Sequence, residues 1–354
     1  MGPRQVGKTT AAKGIFDAWQ GPKTMITADA PSPPKSEWIR THWEQTREKG
    51  DGALLIIDEV QKVPGWSEQV KILFDQDRGQ RDIKILLLGS SALYLQRGLS
   101  ESLAGRFELL QAHHWSLQEF AEAFGWNFER YFHFGAYPGA VPFAADEERW
   151  RNYILHSIVE PVLGKDILSL HPVNNPALFR QTFEIAVQYP AQIVSFQKIL
   201  GQLQDRGNAA TIKHYLTLLE KSFLLKMLQK FSGAVVQTRT SSPKIVVLNP
   251  ALTHAYQSPR RLDIDPSWRG FMMESLVGAH LARLPNTELF YWRDGPMEVD
   301  YILKSPEGLV AIEIQSGRHR KTNGLAAFAK QYPKVHCESW NQEQCLDFMR
   351  TGKI

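Results

Sequence analysis

Gly2-Pro3-Arg4-Gln5-Val6-Gly7-Lys8-Thr9-Thr10 opens the chain and fits the pattern G-x-x-x-x-G-K-[ST]. A loop of this kind lines a concave nest with successive backbone N–H groups, which suits an anion. Gly2 and Gly7 permit backbone angles and a close approach that a side chain would block. A helix is expected from Thr9 to Trp19, and the positive end of its dipole falls on the same spot. On this reading Gly2, Pro3, Arg4, Gln5, Val6, Gly7, Lys8, Thr9 and Thr10 cradle nucleotide phosphates. Lys8 would place its ammonium on the outer phosphates, and the Thr9 hydroxyl would ligate Mg²⁺. The bland alternative is a glycine-rich turn that matches by chance.

A second motif strengthens the first. Ala53-Leu54-Leu55-Ile56-Ile57 is a continuous apolar run that reads as a buried parallel strand, and it ends in Asp58-Glu59. Open α/β sheets bind ligands at the carboxyl ends of their strands. Asp58 is therefore the expected metal-side acid and Glu59 the group that orients and polarises water. A third strand, Ile83 to Leu88, runs into Gly89-Ser90-Ser91, where Ser90 is the candidate sensor of the terminal phosphate. The alternative there is a plain Gly-Ser turn.

The runs GPRQVGKTT, IIDEVQKVPGW, LLLGSSALYL and SLAGRFELLQAHHWSLQEF follow one another along the chain. Together they resemble bacterial and archaeal AAA-type P-loop ATPases whose C-terminal region includes a nuclease-like fold. The resemblance implies binding and hydrolysis of ATP with Mg²⁺. It also makes Arg106, in the SLAGR run, the candidate arginine finger, the alternative being a surface or salt-bridging arginine. One departure stands out. The strand that precedes the P-loop in such sheets has no counterpart after Met1. The expectation is a P-loop NTPase parallel sheet with its first strand missing, either because the start is truncated or misassigned or because the ATPase is crippled.

The 354 residues point to two or three domains, and 43% hydrophobic with 22% charged residues is the balance of a water-soluble globular chain. A net charge of +4 permits nucleic-acid contact without requiring it. Cys337 and Cys345 lack the spacing of a metal or redox pair and read as ordinary thiols of a cytoplasmic protein. No signal peptide and no apolar run of about eighteen residues is present, so no membrane partner is expected.

The fold class is α/β, in three parts. Residues 1–142 are the expected ATPase domain, including a strand from Phe107 to Leu110 and a helix N-capped by Ser116. Residues 143–250 are a long helix from Asp146 to Gly164 and a helical domain with a hairpin around Val235-Val236 and Lys244 to Leu248. A helix from Ala209 to Lys226, with Asn208 as N-cap, carries Lys213, Thr217 and Lys221 on one outward face. The resemblance suggests a winged helix here, and that face either touches DNA phosphates or is simply solvated. DNA contact, if made, is expected to be weak and backbone-dominated.

Residues 251–354 show a helix, three strands, a helix and a strand. This order looks like the PD-(D/E)xK nuclease core. The resemblance places Mg²⁺ on Asp300 and Glu313, with Glu274 as a helper. The lysine expected two residues after the second acid is Gln315, which carries no charge, so cleavage is expected to be lost. The expected function is a Mg²⁺-dependent ATPase with an inactive nuclease-like end and with ATP, DNA and a second copy as candidate partners. Its rivals are an ATP-regulated DNA nuclease and a non-hydrolysing module that binds nucleic acid or protein.

Overall fold

Three apolar runs build a parallel sheet near the N-terminus: β1 (Lys23–Thr27), β2 (Ala53–Asp58) and β3 (Ile83–Leu87), in the order β1-β2-β3. The computed structural model describes residues 1–32, 34–89, 102–168, 173–203, 207–232, 241–257, 265–315 and 323–354. They form two compact units, Met1–His113 and His114–Ile354.

In the first unit β2 is central and buried along its whole length, as its unbroken Ala-Leu-Leu-Ile-Ile run requires. Its side chains alternate between two cores. Leu55 and Ile57 pack with Ile39, Trp43 and Leu73, while Leu54 and Ile56 pack with Ala12 and Leu88. The helices Lys8–Ala18, Ser36–Arg47 and Trp66–Asp77 supply these partners except Leu88, which follows β3. Asp77 ties the second and third of these helices together, accepting from Trp43 Nε1 at 2.7 Å and forming an ion pair with Arg47, whose Nε lies 2.9 Å from Oδ1. The strand expected from Phe107 to Leu110 is not formed. Beside it Met1 donates its amine to the Leu110 carbonyl (2.7 Å) and accepts at its carbonyl from the Ala112 N–H (2.7 Å). Two hydrogen bonds to a single residue do not make a ladder, and Phe107, Leu109 and Leu110 are exposed.

The second unit is organised around one seven-stranded sheet. Its strands are β4 (Gln192–Ile193), β5 (Leu225–Lys230), β6 (Lys244–Val247), β7 (Glu288–Asp294), β8 (Met297–Ser305), β9 (Gly308–Ile314) and β10 (His336–Trp340). The order is β10-β9-β8-β7-β5-β6-β4. The pivot is β5, antiparallel to β6 on one side and parallel to β7 on the other, with Gln229 opposite Phe290. The core beneath draws on Phe120, Tyr131 and Phe132 as well as Trp268, Tyr301 and Phe348.

Local signals placed several helix starts. Ser116 accepts from the Glu119 N–H while the Glu119 carboxylate accepts from the Ser116 N–H, and Asn208 accepts from the Thr211 N–H. The helix after Asn208 stops at Lys221, short of the expected Lys226. Phe223 adopts φ 60° and turns the chain, and Leu225 onward pairs with β6 as a strand. The Leu-rich stretch Leu218 to Leu228 suits either period, and sheet pairing decides it. The long helix expected from Asp146 to Gly164 begins as an α-helix over Glu147–Tyr153 and continues largely as wide π turns over Ile154–Val159 and Val162–Ile167. Val235 and Val236 lie outside the described residues. A last helix, Gln342–Thr351, buries Cys345, Phe348 and Met349 and was not anticipated.

Candidate functional site: the loop and strand end of the first unit

The loop that precedes helix Lys8–Ala18 is held by unusual backbone angles. Gly7 sits in the left-handed region at φ 84° and Gln5 at φ 60°. The first backbone N–H groups of any helix lack intrahelical acceptors. Gly7, as N-cap, offers no side chain to them, and the first turn holds no acid. The helix start is thus shaped for an anion from outside the helix. Gly2 has a second reason to be glycine. A Cβ there would stand 2.4 Å from the Ala112 carbonyl oxygen, because Met1 and Ala112 run side by side.

Lys8 Nζ donates to the Gly2 carbonyl at 2.9 Å and to that of Pro3, so the ammonium rests on the mouth of its own loop. Thr9 Oγ1 donates to Asp58 Oδ2 at 2.8 Å. The other Asp58 oxygen accepts from the Glu59 N–H at 2.9 Å. Both motifs therefore meet at the carboxyl end of β2. A hydroxyl and a carboxylate side by side, next to a helix N-terminus and an ammonium, suit Mg²⁺ and a phosphate chain. The residues present fit such a group.

Glu59 leaves the strand at φ 53°, and Gln61 Nε2 donates to its Oε2 at 2.5 Å. Sequence reasoning missed Gln61. The available signal was its place two residues after the acid, in the tight turn Val60–Lys62. Ser90 lies outside the described residues. Arg106 forms a two-point contact with Asp75: Nε to Oδ1 at 2.8 Å and Nη2 to Oδ2 at 3.0 Å. The Arg106 hydrogen bond holds the Asp75 carboxyl below its ordinary range. To act on a phosphate, Arg106 would have to leave this partner.

The second set of expected residues lies in the second unit. Asp300 is on β8 and Glu313 on the neighbouring β9. Asp300 Oδ2 accepts from the Ile314 N–H at 2.8 Å. Burial, then Asp300 and Glu298, push the Glu313 carboxyl up to about 7. Among the described residues no group of three or more His, Cys, Asp or Glu side chains is arranged to hold a metal ion. Gln315 is exposed and donates to Ser339 Oγ at 2.9 Å.

Comparison with known proteins agrees with the geometry of the first unit. Residues 1–121 match the AAA domain family, and this region is of the AAA-type, P-loop ATPase-like kind. Residues 125–265 and 269–345 match two domains of unknown function, DUF8612 and DUF4143. The chain is 26% identical over 301 residues to the uncharacterized protein Rv2008c of Mycobacterium tuberculosis, and equally to Mb2031c of Mycobacterium bovis. Those matches cover 82% of this chain and 64% of each relative, so the chain spans less than two thirds of their length. Among solved structures, a Walker-type ATPase of Pyrococcus abyssi overlaps 72% of this chain and 89% of its own, at 14% identity and a TM-score of 0.46. The RuvB Holliday junction branch migration motor of Thermotoga maritima overlaps 64% and 79%, at 17% identity and a TM-score of 0.33. Both overlaps are partial. No helix among the described residues is long and apolar enough to cross a membrane.

Proposed function

We propose that the first unit binds ATP with Mg²⁺ and hydrolyses it. The observation that carries this reading is the 2.8 Å contact of Thr9 Oγ1 with Asp58 Oδ2, which joins two motifs far apart in sequence at one strand end. In this reading Gly2 to Thr10 wrap the phosphates, and Lys8 turns its ammonium from the Gly2 and Pro3 carbonyls onto the outer phosphate oxygens. Thr9 and Asp58 hold Mg²⁺, which neutralises phosphate charge. Glu59 takes the proton from the attacking water, and Gln61 keeps its carboxylate in place. Ser90 and Arg106 remain candidates for sensing and completing the site.

Nucleotide binding and turnover on two variants test the reading. Lys8→Ala should lose ATP binding. Glu59→Gln keeps the shape but not the base, so it should bind ATP while turnover falls by about 10²–10⁴-fold. ATP affinity retained in Lys8→Ala, or parental turnover in Glu59→Gln, would remove the assignment.

We infer a binding role for the second unit. The order helix, strand, helix, helix, strand, strand over 176–247 supports a winged-helix reading. The order helix, three strands, helix, strand over 266–340 supports a nuclease-like one. Lys213 and Lys221 are exposed on helix Ala209–Lys221, but two cations give only a shallow electrostatic hold on DNA. Gln315 brings no charge to a scissile phosphate. With duplex DNA and Mg²⁺, binding should be weak, sequence-tolerant and lost as salt rises, and the DNA should stay intact. Sequence-selective binding that survives high salt, or cutting that disappears in Asp300→Ala, would overturn this.

A further inference from the structure

Lys244, the first residue of β6, is fully buried, and its ammonium points at acids of strand β8 and of helix Pro266–Leu281. It pairs with Glu274 of helix Pro266–Leu281. Nζ lies 3.4 Å from Glu298 Oε1, 3.3 Å from Asp300 Oδ1 and 3.3 Å from the Asp300 carbonyl oxygen. The Tyr301 ring covers it, with its centroid 5.1 Å from Nζ. Three carboxylates, a carbonyl and an aromatic face thus surround one positive charge.

Hard oxygen donors gathered in this way are also what a divalent cation takes. Here the N–O spacings are those of an ammonium. Asp300 is committed on both oxygens, Oδ1 to Lys244 and Oδ2 to the Ile314 N–H. Lys244 has no exposed surface, so neither a phosphate nor a solvent molecule touches it from outside. That burial separates it from a lysine that works on a bound substrate. Its charge is spent inside the protein, where a lone ammonium would be costly and a paired one is held.

We propose that the Lys244 ammonium is the resident cation of the Glu274–Glu298–Asp300 cluster and keeps Mg²⁺ and Mn²⁺ out of it. The cluster becomes a divalent-cation site only when that ammonium is removed. A second positive ion a few ångströms from a buried ammonium is repelled strongly in a weakly screening interior. The acids of β8 are therefore organised by a side chain delivered from β6. This inference is independent of the ATPase reading of the first unit.

Paramagnetic broadening by Mn²⁺ on the full-length chain tests it. In the parent at millimolar Mn²⁺, the Ile314 and Tyr301 amides should keep their signals. In Lys244→Met, which retains an apolar stem without the charge, the same amides should broaden. The effect should disappear in Lys244→Met/Asp300→Asn. Lys244→Arg, which keeps a cation, should behave as the parent. Broadening of Ile314 in the parent would overturn the proposal without recourse to any variant. A folded Lys244→Met that shows no broadening would overturn it as well.

Discussion

His254 and His280 show how single residues tie this fold to pH. Both are buried, and each uses one ring nitrogen locally. The Nδ1 of His254 lies 2.6 Å from the His133 carbonyl and that of His280 lies 2.9 Å from the Leu276 carbonyl. Each Nδ1 must carry the proton to donate to a carbonyl, which leaves Nε2 as the bare nitrogen of a neutral ring. Both Nε2 atoms are buried with no hydrogen-bond partner among the described residues. A second proton there would be a buried charge, and burial lowers both rings from an ordinary 6.5 to about 4. Between those values the unfolded chain takes up protons that the native chain refuses. Stability contributed by the neutral rings is therefore present above pH 6.5 and is lost as pH falls toward 4. The slope is roughly 1.4 kcal/mol per pH unit for each ring at most. Urea unfolding at pH 7 and pH 5 measures it, and His280→Leu should flatten the dependence. An unchanged slope in that variant would show that the ring is not the titrating group.

The helix Pro266–Leu281 is fixed at element scale by a residue it lacks a side chain for. Gly278 faces Tyr301 so closely that a Cβ would stand 2.4 Å from the phenol oxygen. That oxygen donates to the Glu274 carbonyl at 2.7 Å, one turn earlier on the same helix, and the ring covers the Lys244 ammonium. Gly278→Ala must displace a fully buried ring or lift the helix from β8. A cost of about 1–3 kcal/mol follows from overpacking, even though alanine is the better helix former. Thermal unfolding of the variant should show the loss. An unchanged or higher midpoint would mean that Tyr301 has room to move. Asn249 works at the same scale. It is buried, its Oδ1 accepts from the Ala136 and Ala251 N–H groups, and its amide donates to His114 Nδ1. His114 Nε2 must then carry the proton toward the Phe223 carbonyl, so one chain of bonds links four segments of the second unit.

At the scale of the whole molecule, the sheet from β4 to β10 is continuous across the second unit. β7 uses β5 as its parallel neighbour, with Lys230 opposite Tyr291 and the Phe231 N–H bound to the Tyr291 carbonyl. Removing β5 and β6 exposes an edge of β7 and takes the only buried lysine among the described residues from its three carboxylates. Residues 251–354 expressed alone should therefore fail to reach the native fold, while residues 114–354 should fold. Dispersion of amide signals in the two fragments tells them apart. A well-dispersed spectrum from the shorter one would show that its core is sufficient by itself.

Much of this was legible locally. The P-loop, the acid pair after Ile57 and the caps at Ser116 and Asn208 depend on residues within a few positions of one another, so spacing and residue type specify them. The buried character of β2 follows from its unbroken apolar run in the same way. Gln315 was likewise readable as a missing charge. The tertiary structure decided what distant residues do. It pairs Arg106 with Asp75, turns the apolar run after Phe223 into β5, places β5 beside β7 and puts Lys244 among the acids of another segment. A lone arginine, an ambiguous Leu-rich run and a lysine at the start of a strand carry no local mark of their partners. Their roles arise from hydrogen bonding and charge compensation across long sequence separations, where burial makes an unpaired group costly and only the fold supplies the pair.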